Sequence, residues 1–311
     1  MNTLKIVSVI LIALFSQPAF SNEHPLLEKI YSVKDQRFIS QAALKSDILS
    51  HKIVMLGETH DNARHHTLQQ TVLFWLLKAN RRPKLVVEML NLNQQQAINL
   101  SMNQNQLNSE ALDKQWQWSK RGWDNWGDYY PIFNTAISHS LTILADNYDN
   151  EIIRNMGMKG IDARPTNHPA IDKPLSTTAQ QALINGIKES HCNMMPEKML
   201  PNMLLIQTSR DQLMAAKVSK LPMDTFVLAG SEHIRTDRGI PHFLTNAQKK
   251  SSISIGLIEI ADEWQTPSSY QKLWHRADIP HDYLWFTERV ERPDLCESLR
   301  KHFAKKKAKK H

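Results

Sequence analysis

Apolar residues along this chain fall into two alternating patterns. Residues 51–57 form an apolar run closed by Gly57, which predicts a buried strand. Residues 62–80 then place Leu68, Val72, Trp75 and Leu76 at helical spacing. A second strand is predicted at 84–88, helices at 93–102 and 107–114, and another helix at 129–139 with Pro131 in its first turn. Residues 141–145 predict a third strand, with Asp146 or Asn147 capping the helix after it. Helices follow at 177–190 and 202–217, and strands at 224–230 and 251–259. This alternation predicts an α/β fold, a mostly parallel central sheet covered by helices on both faces. No long polar linker interrupts residues 22–300, which are expected to form a single domain.

The two ends break the pattern. Lys5, the apolar run 6–15 and Ala19-Phe20-Ser21 read as an export signal, cut after Ser21. The run has about half the roughly 20 residues a membrane span needs, which argues against an uncleaved anchor. No cysteine lies near the cut, so no lipid-anchoring site is present and a soluble, periplasmic protein of a Gram-negative cell is expected. The formal charge is +7. Lys5 carries one of those charges and the tail 301–311 six more, so the body is near neutral and lacks the basic face of a nucleic-acid binder. The tail reads as a disordered, solvated end, or as a contact for anionic lipid. The two cysteines, Cys192 and Cys296, suggest a disulfide in an exported chain, the alternative being two buried thiols.

Open α/β sheets bind ligands beyond the carboxyl ends of their strands. There the chain carries Gly57-Glu58-Thr59-His60, Glu88 and Gly230-Ser231-Glu232-His233. Two imidazoles and a carboxylate, His60, His233 and Glu88, suit a divalent metal or act as acid and base; each His alone reads equally as a structural residue. Arg64-His65-His66 opens the next helix, either as ligands or as a solvated helix start. Trp116, Trp118, Trp123 and Trp126, followed by Tyr129 and Tyr130, make an aromatic segment. Such a segment walls a flat apolar ligand or packs a subdomain or dimer seam, and a phenol there can ligate ferric haem iron.

Taken in order, these pieces resemble the ChaN-like haem-binding uptake family of the Tiki superfamily. The matching residues are Leu56 to Asn62 with His65, His66 and Gln69; Val87-Glu88-Met89; and Trp118-Ser119, Gly122-Trp123, Trp126, Tyr129, Pro131 and Ile132. Asn147, His191-Cys192, Arg210-Asp211, Met214-Ala215, Gly230 to His233 and Gly239-Ile240-Pro241 continue the match. The resemblance implies an α/β fold with helical additions, as in erythromycin-esterase-like proteins. It implies haem bound for iron acquisition, at a homodimer interface, with tyrosine as the iron ligand. Tyr129 fits the Trp-x-x-Tyr-x-Pro segment; Tyr130 has no matching position. Trp123 and Trp126 would cradle the porphyrin, and Arg64, His65 or His66 would meet its propionates or iron. Haem receptor or transporter components would be the partners.

The wider superfamily also implies an alternative, a metal-dependent hydrolase of peptidase or esterase type. A divalent metal on His60, Glu88 and His233 would activate water, with Glu58 or Glu232 as general base. A third reading is a non-catalytic scaffold that binds neither haem nor metal.

Overall fold

The computed structural model describes residues 23–123, 125–168, 173–221, 224–294 and 296–301. The expected export signal and the lysine-rich tail beyond Lys301 lie outside them. Strands β1 (Ile30–Ser32), β2 (Arg37–Ile39), β3 (Ile53–Glu58), β4 (Lys84–Asn91), β5 (Ile143–Asn147), β6 (Thr225–Gly230), β7 (Ser252–Glu259) and β8 (Tyr283–Thr287) form one sheet. Their order is β2-β1-β8-β7-β3-β6-β4-β5. From β8 to β5 neighbouring strands run parallel; β1 pairs antiparallel with both β8 and β2.

Each parallel strand is apolar on both sides because both faces are covered. Val54 and Leu56 of β3 join Phe226 and Leu228 of β6 in the core of one face. Ile53, Met55, Val227 and Ala229 point to the other. The first face packs against α1 (Gln41–Ser50), α2 (Ala63–Lys78), α3 (Gln95–Asn103), α4 (Ser109–Trp116) and α5 (Trp126–Ser138). α6 (Asn150–Lys159) follows β5. The second face packs against α7 (Thr177–Ser190), α8 (Leu200–Ser219) and α9 (Ile240–Phe243), with α10 (Asn246–Lys250) leading into β7. Cys192, just past α7, is bonded to Cys296 across 104 residues.

The predicted strands and helices occur, with three local differences. α5 begins at Trp126, so Pro131 sits in its second turn; the nearby Thr135 hydroxyl bonds the Pro131 carbonyl. Asp146 and Asn147 belong to β5, and Asp149 stands at the N-cap of α6. β1, β2 and β8 add an antiparallel-paired edge that the apolar pattern did not show. Among the described residues, no helix is long and apolar enough to cross a membrane.

Candidate functional site

The carboxyl ends of β3, β4 and β6 converge. At Gly57 any side chain would strike Ser231 Cα and Ile234 at 2.6 Å, so the β3 end fits tightly under the turn after β6. At Gly230 a Cβ would lie 3.1 Å from His60 Nε2 and 3.5 Å from Glu88 Oε2. Glycine therefore leaves open the point where the two Gly-x-x-His segments and Glu88 meet.

Two buried carboxylates organise this meeting. Glu58 accepts from His60 Nδ1 at 2.8 Å, from Gln69 Nε2 at 2.6 Å and from the Tyr129 hydroxyl, with His66 Nδ1 at 3.1 Å. Burial would raise its pKa, but the His60 and His66 hydrogen bonds and charges outweigh it and hold the carboxyl at about 2. Glu88 accepts from the Gly230 N–H at 2.7 Å, from Arg210, and from His233 Nε2 at 3.1 Å. His233 turns its other nitrogen to Asp211 at 2.6 Å. Burial opposes its charge, yet Glu88 and Asp211 together push it up to about 9.

This satisfied network does not favour the hydrolase alternative. Both nitrogens of His233 are committed to carboxylates, and Glu88 is held by three donors. Glu58 faces four donors, and Glu232 is paired with Arg235 and Arg238. A general base here would have to exchange one of these hydrogen bonds for a water, and a metal would have to displace the donors now held by these side chains. Among the described residues, no group of three or more His, Cys, Asp or Glu side chains is arranged to hold a metal.

A cleft of about 670 Å³ opens over this network, within the size range of small-molecule sites. Arg210, Arg238 and His60 give it a polar side, and Leu183 and Ile187 of α7 with Leu273 an apolar one. A second cleft of about 440 Å³ adjoins it, sharing Thr59, Ser231, Glu232 and Leu273.

The other predicted site residues do not line the cleft. Trp116 and Trp118 are core residues, and Tyr129 is wholly buried with its hydroxyl on Glu58. The Trp126 indole donates to Ser109, and the Tyr130 hydroxyl to the Leu107 carbonyl. The aromatic segment thus packs α5 onto the sheet; of its residues, Trp123 meets the cleft-lining His60 edge-on at 5.0 Å and Tyr129 donates to the cleft-lining Glu58. Arg64 forms a paired hydrogen bond with Glu28. The histidines of α2 are buried, not solvated, because the helix start turns inward. His65 accepts from the Thr59 N–H and binds Thr287, and burial first of all lowers its pKa to about 4. His66 sits between Glu58 and the His60 carbonyl.

Arg210 and Asp211 reach the site from α8, and His275 from the turn after residues 267–274. The adjacent Arg-Asp pair within an otherwise mixed helix is a signal for the first two; His275 has none.

The family model described as "Haem-binding uptake, Tiki superfamily, ChaN" matches residues 44–244. Among solved structures, ChaN of Campylobacter jejuni, described as binding heme cofacially, is 23% identical, with a TM-score of 0.64 over 82% of this chain and 95% of that one. The type III effector HopBA1 is 13% identical at a TM-score of 0.43, covering 79% of this chain and 92% of that one. A mutant of the erythromycin esterase EreC in its open conformation is 10% identical at 0.40, covering 86% of each. No curated protein sequence matches the chain.

Proposed function

Because this chain belongs to the ChaN haem-binding uptake family of the Tiki superfamily, we propose that it binds haem in the cleft beyond β3, β4 and β6 and serves the uptake of haem iron. The observation that carries this is the two-sided lining of that cleft. Haem is a flat apolar macrocycle bearing two carboxylates and an iron that takes axial donors. Leu183, Ile187 and Leu273 offer apolar surface to the macrocycle. Arg210, partly exposed beside Glu88, and Arg238, buried beside Glu232, place guanidinium groups at the cleft that would have to share a ligand carboxylate with those partners. Imidazole groups at the same cleft, His60 and His275, supply the donor type that iron accepts. Bound haem would supply the iron centre; the chain's own part is to hold and orient it.

The remaining features of the reading are expectations of the same proposal. The Cys192–Cys296 bond suits an oxidising compartment, which supports export to the periplasm. A homodimer closing over haem would shield the open side of the cleft, with receptor or transporter components passing haem to or from it. Titrating the mature protein with hemin and following the Soret band tests the core claim. A saturable shift at a fixed stoichiometry is expected; the spectrum of free hemin with no saturation overturns it.

A further inference from the structure

We propose that the polar pocket between α4 and the start of α6 is a second ligand site, which takes a small zwitterion of the amino-acid class. The ligand's carboxylate meets Arg121, and its ammonium meets Asp149 and Glu151. The inference stands apart from the haem reading, since this pocket shares no lining residue with the cleft described above. It has a volume of about 380 Å³ and lies beyond the carboxyl ends of β4 and β5, where open α/β sheets hold ligands. Asn91, the last residue of β4, lines it, and so does Asp149, two residues past β5. Ala97 apart, every lining residue is polar, so the pocket suits a small polar molecule and offers a macrocycle no apolar wall.

Arg121 gives the pocket a charge that the fold does not neutralise. Its Nη1 donates to Asn91 Oδ1 at 3.2 Å and its Nη2 to the Met89 carbonyl at 2.7 Å. Both acceptors are neutral, and Nε is buried without a partner. Two of the five N–H groups of an arginine are used in this way, and the others remain. Among the described residues no carboxylate is paired with this half-buried guanidinium, and burial pulls its pKa down to about 10. Desolvating a cation without a counter-charge is costly. A ligand carboxylate supplies that charge in the planar form a guanidinium favours.

The negative side comes from the start of α6. Asp149 stands at its N-cap but makes no capping bond; Oδ1 accepts from the Asn93 N–H at 3.2 Å instead. Glu151, in the first turn, is exposed at the same pocket. Neither carboxylate pairs with Arg121, so the pocket holds separate charges of both signs. A zwitterion matches such a pattern, whereas a simple anion or a simple cation is repelled by one half of it. The Gln115 side chain accepts from Ser101 Oγ at 2.8 Å through Oε1 and keeps its Nε2 donors for a polar ligand side chain.

The test is calorimetric titration of the full mature chain, without hemin, with L-glutamine, L-asparagine and L-serine. Saturable binding of at least one of them, one per chain, is expected. For the tightest binder, the analogue lacking the ammonium and the analogue lacking the carboxylate should each bind about tenfold or more weakly. Arg121→Gln and Glu151→Gln should each weaken binding by a similar factor and leave the hemin titration as in the wild type. Circular dichroism shows whether each variant folds, and the exposed Glu151 keeps the test open if Arg121→Gln does not. No saturation with any of the three amino acids overturns the proposal. So does binding that persists undiminished in the folded variants, and so does an amino acid that hemin displaces. A chain that binds the amino acid but never saturates with hemin overturns the haem reading and leaves this site standing.

Discussion

His60 and Tyr129 share one carboxylate: Nδ1 of the first lies 2.8 Å from Oε1 of Glu58, and the hydroxyl of the second donates to the same oxygen. With Gln69 and His66 on the other oxygen, a wholly buried Glu58 serves four donors. Glutamine offers one acceptor oxygen in its place. Glu58→Gln should therefore lower stability by about 3–5 kcal/mol, the scale of breaking a buried charged pair. Tyr129→Phe removes one donor and should cost about 1–3 kcal/mol. Urea denaturation of both variants checks the order; equal losses would show that the charge of Glu58 is not what holds the site.

Trp116 and Trp118 are equally buried but differently bonded. The Trp116 indole N–H donates to Ser101 Oγ at 3.0 Å, while that of Trp118 has no partner among the described residues. Replacing each by Phe removes similar ring volume, and only the first also breaks a hydrogen bond. Trp116→Phe should be the costlier by about 1 kcal/mol. Equal denaturation midpoints would count against the assigned bond.

Asp146 is wholly buried, neither carboxyl oxygen has a hydrogen-bond partner, and Lys217 Nζ at 3.6 Å is its ion-pair neighbour. Burial raises its pKa to about 7 against the pull of the ammonium. The folded chain thus binds this proton more tightly than the unfolded one. The resulting stability is present below about pH 4 and is lost as pH rises through about 7. Asp146→Asn, which does not titrate, should gain on the wild type between pH 4 and pH 8, by roughly 3–4 kcal/mol at about 1.4 kcal/mol per pKa unit. Thermal denaturation at the two pH values reads this, and a constant gap refutes it.

The Cys192–Cys296 bond closes a loop spanning 104 residues. In the chain-entropy account such a loop is worth about 4–5 kcal/mol. The double variant Cys192→Ser, Cys296→Ser should lose that amount in urea denaturation, and an unchanged midpoint would mean that the unfolded chain is not constrained by the bond.

Much of this architecture is readable in the chain because buried parallel strands are apolar on both sides. Residues 51–57 and 224–230 announce β3 and β6 for that reason, and α7 keeps the predicted bounds because Ser176 caps it. β1 and β2 have three residues each, and β8 has five. At that length an apolar run is not distinctive, and their place depends on pairings across more than 240 residues. At the site, the Gly-x-x-His ends mark where the strands stop. What sequence could not separate was an aromatic segment facing a ligand from one facing the core, since both need the same residues. Trp118 and Tyr129 went inward because α5 packs on α2 and on the sheet. The partners of Arg210 and Asp211 lie on β4 and beyond β6, a closeness that only the folded chain creates.

The place of β8 in the sheet has a consequence for the order of assembly. It fills the slot between β7 and β1, so the first strand has no neighbour on that side until residues 283–287 arrive. The β1–β2 hairpin, at the start of the described chain, therefore joins the parallel block only through a strand about 250 residues further on. The strand acts as a keystone: it joins the edge hairpin to the parallel block, and its last residue, Thr287, reaches the site through His65 and Thr59.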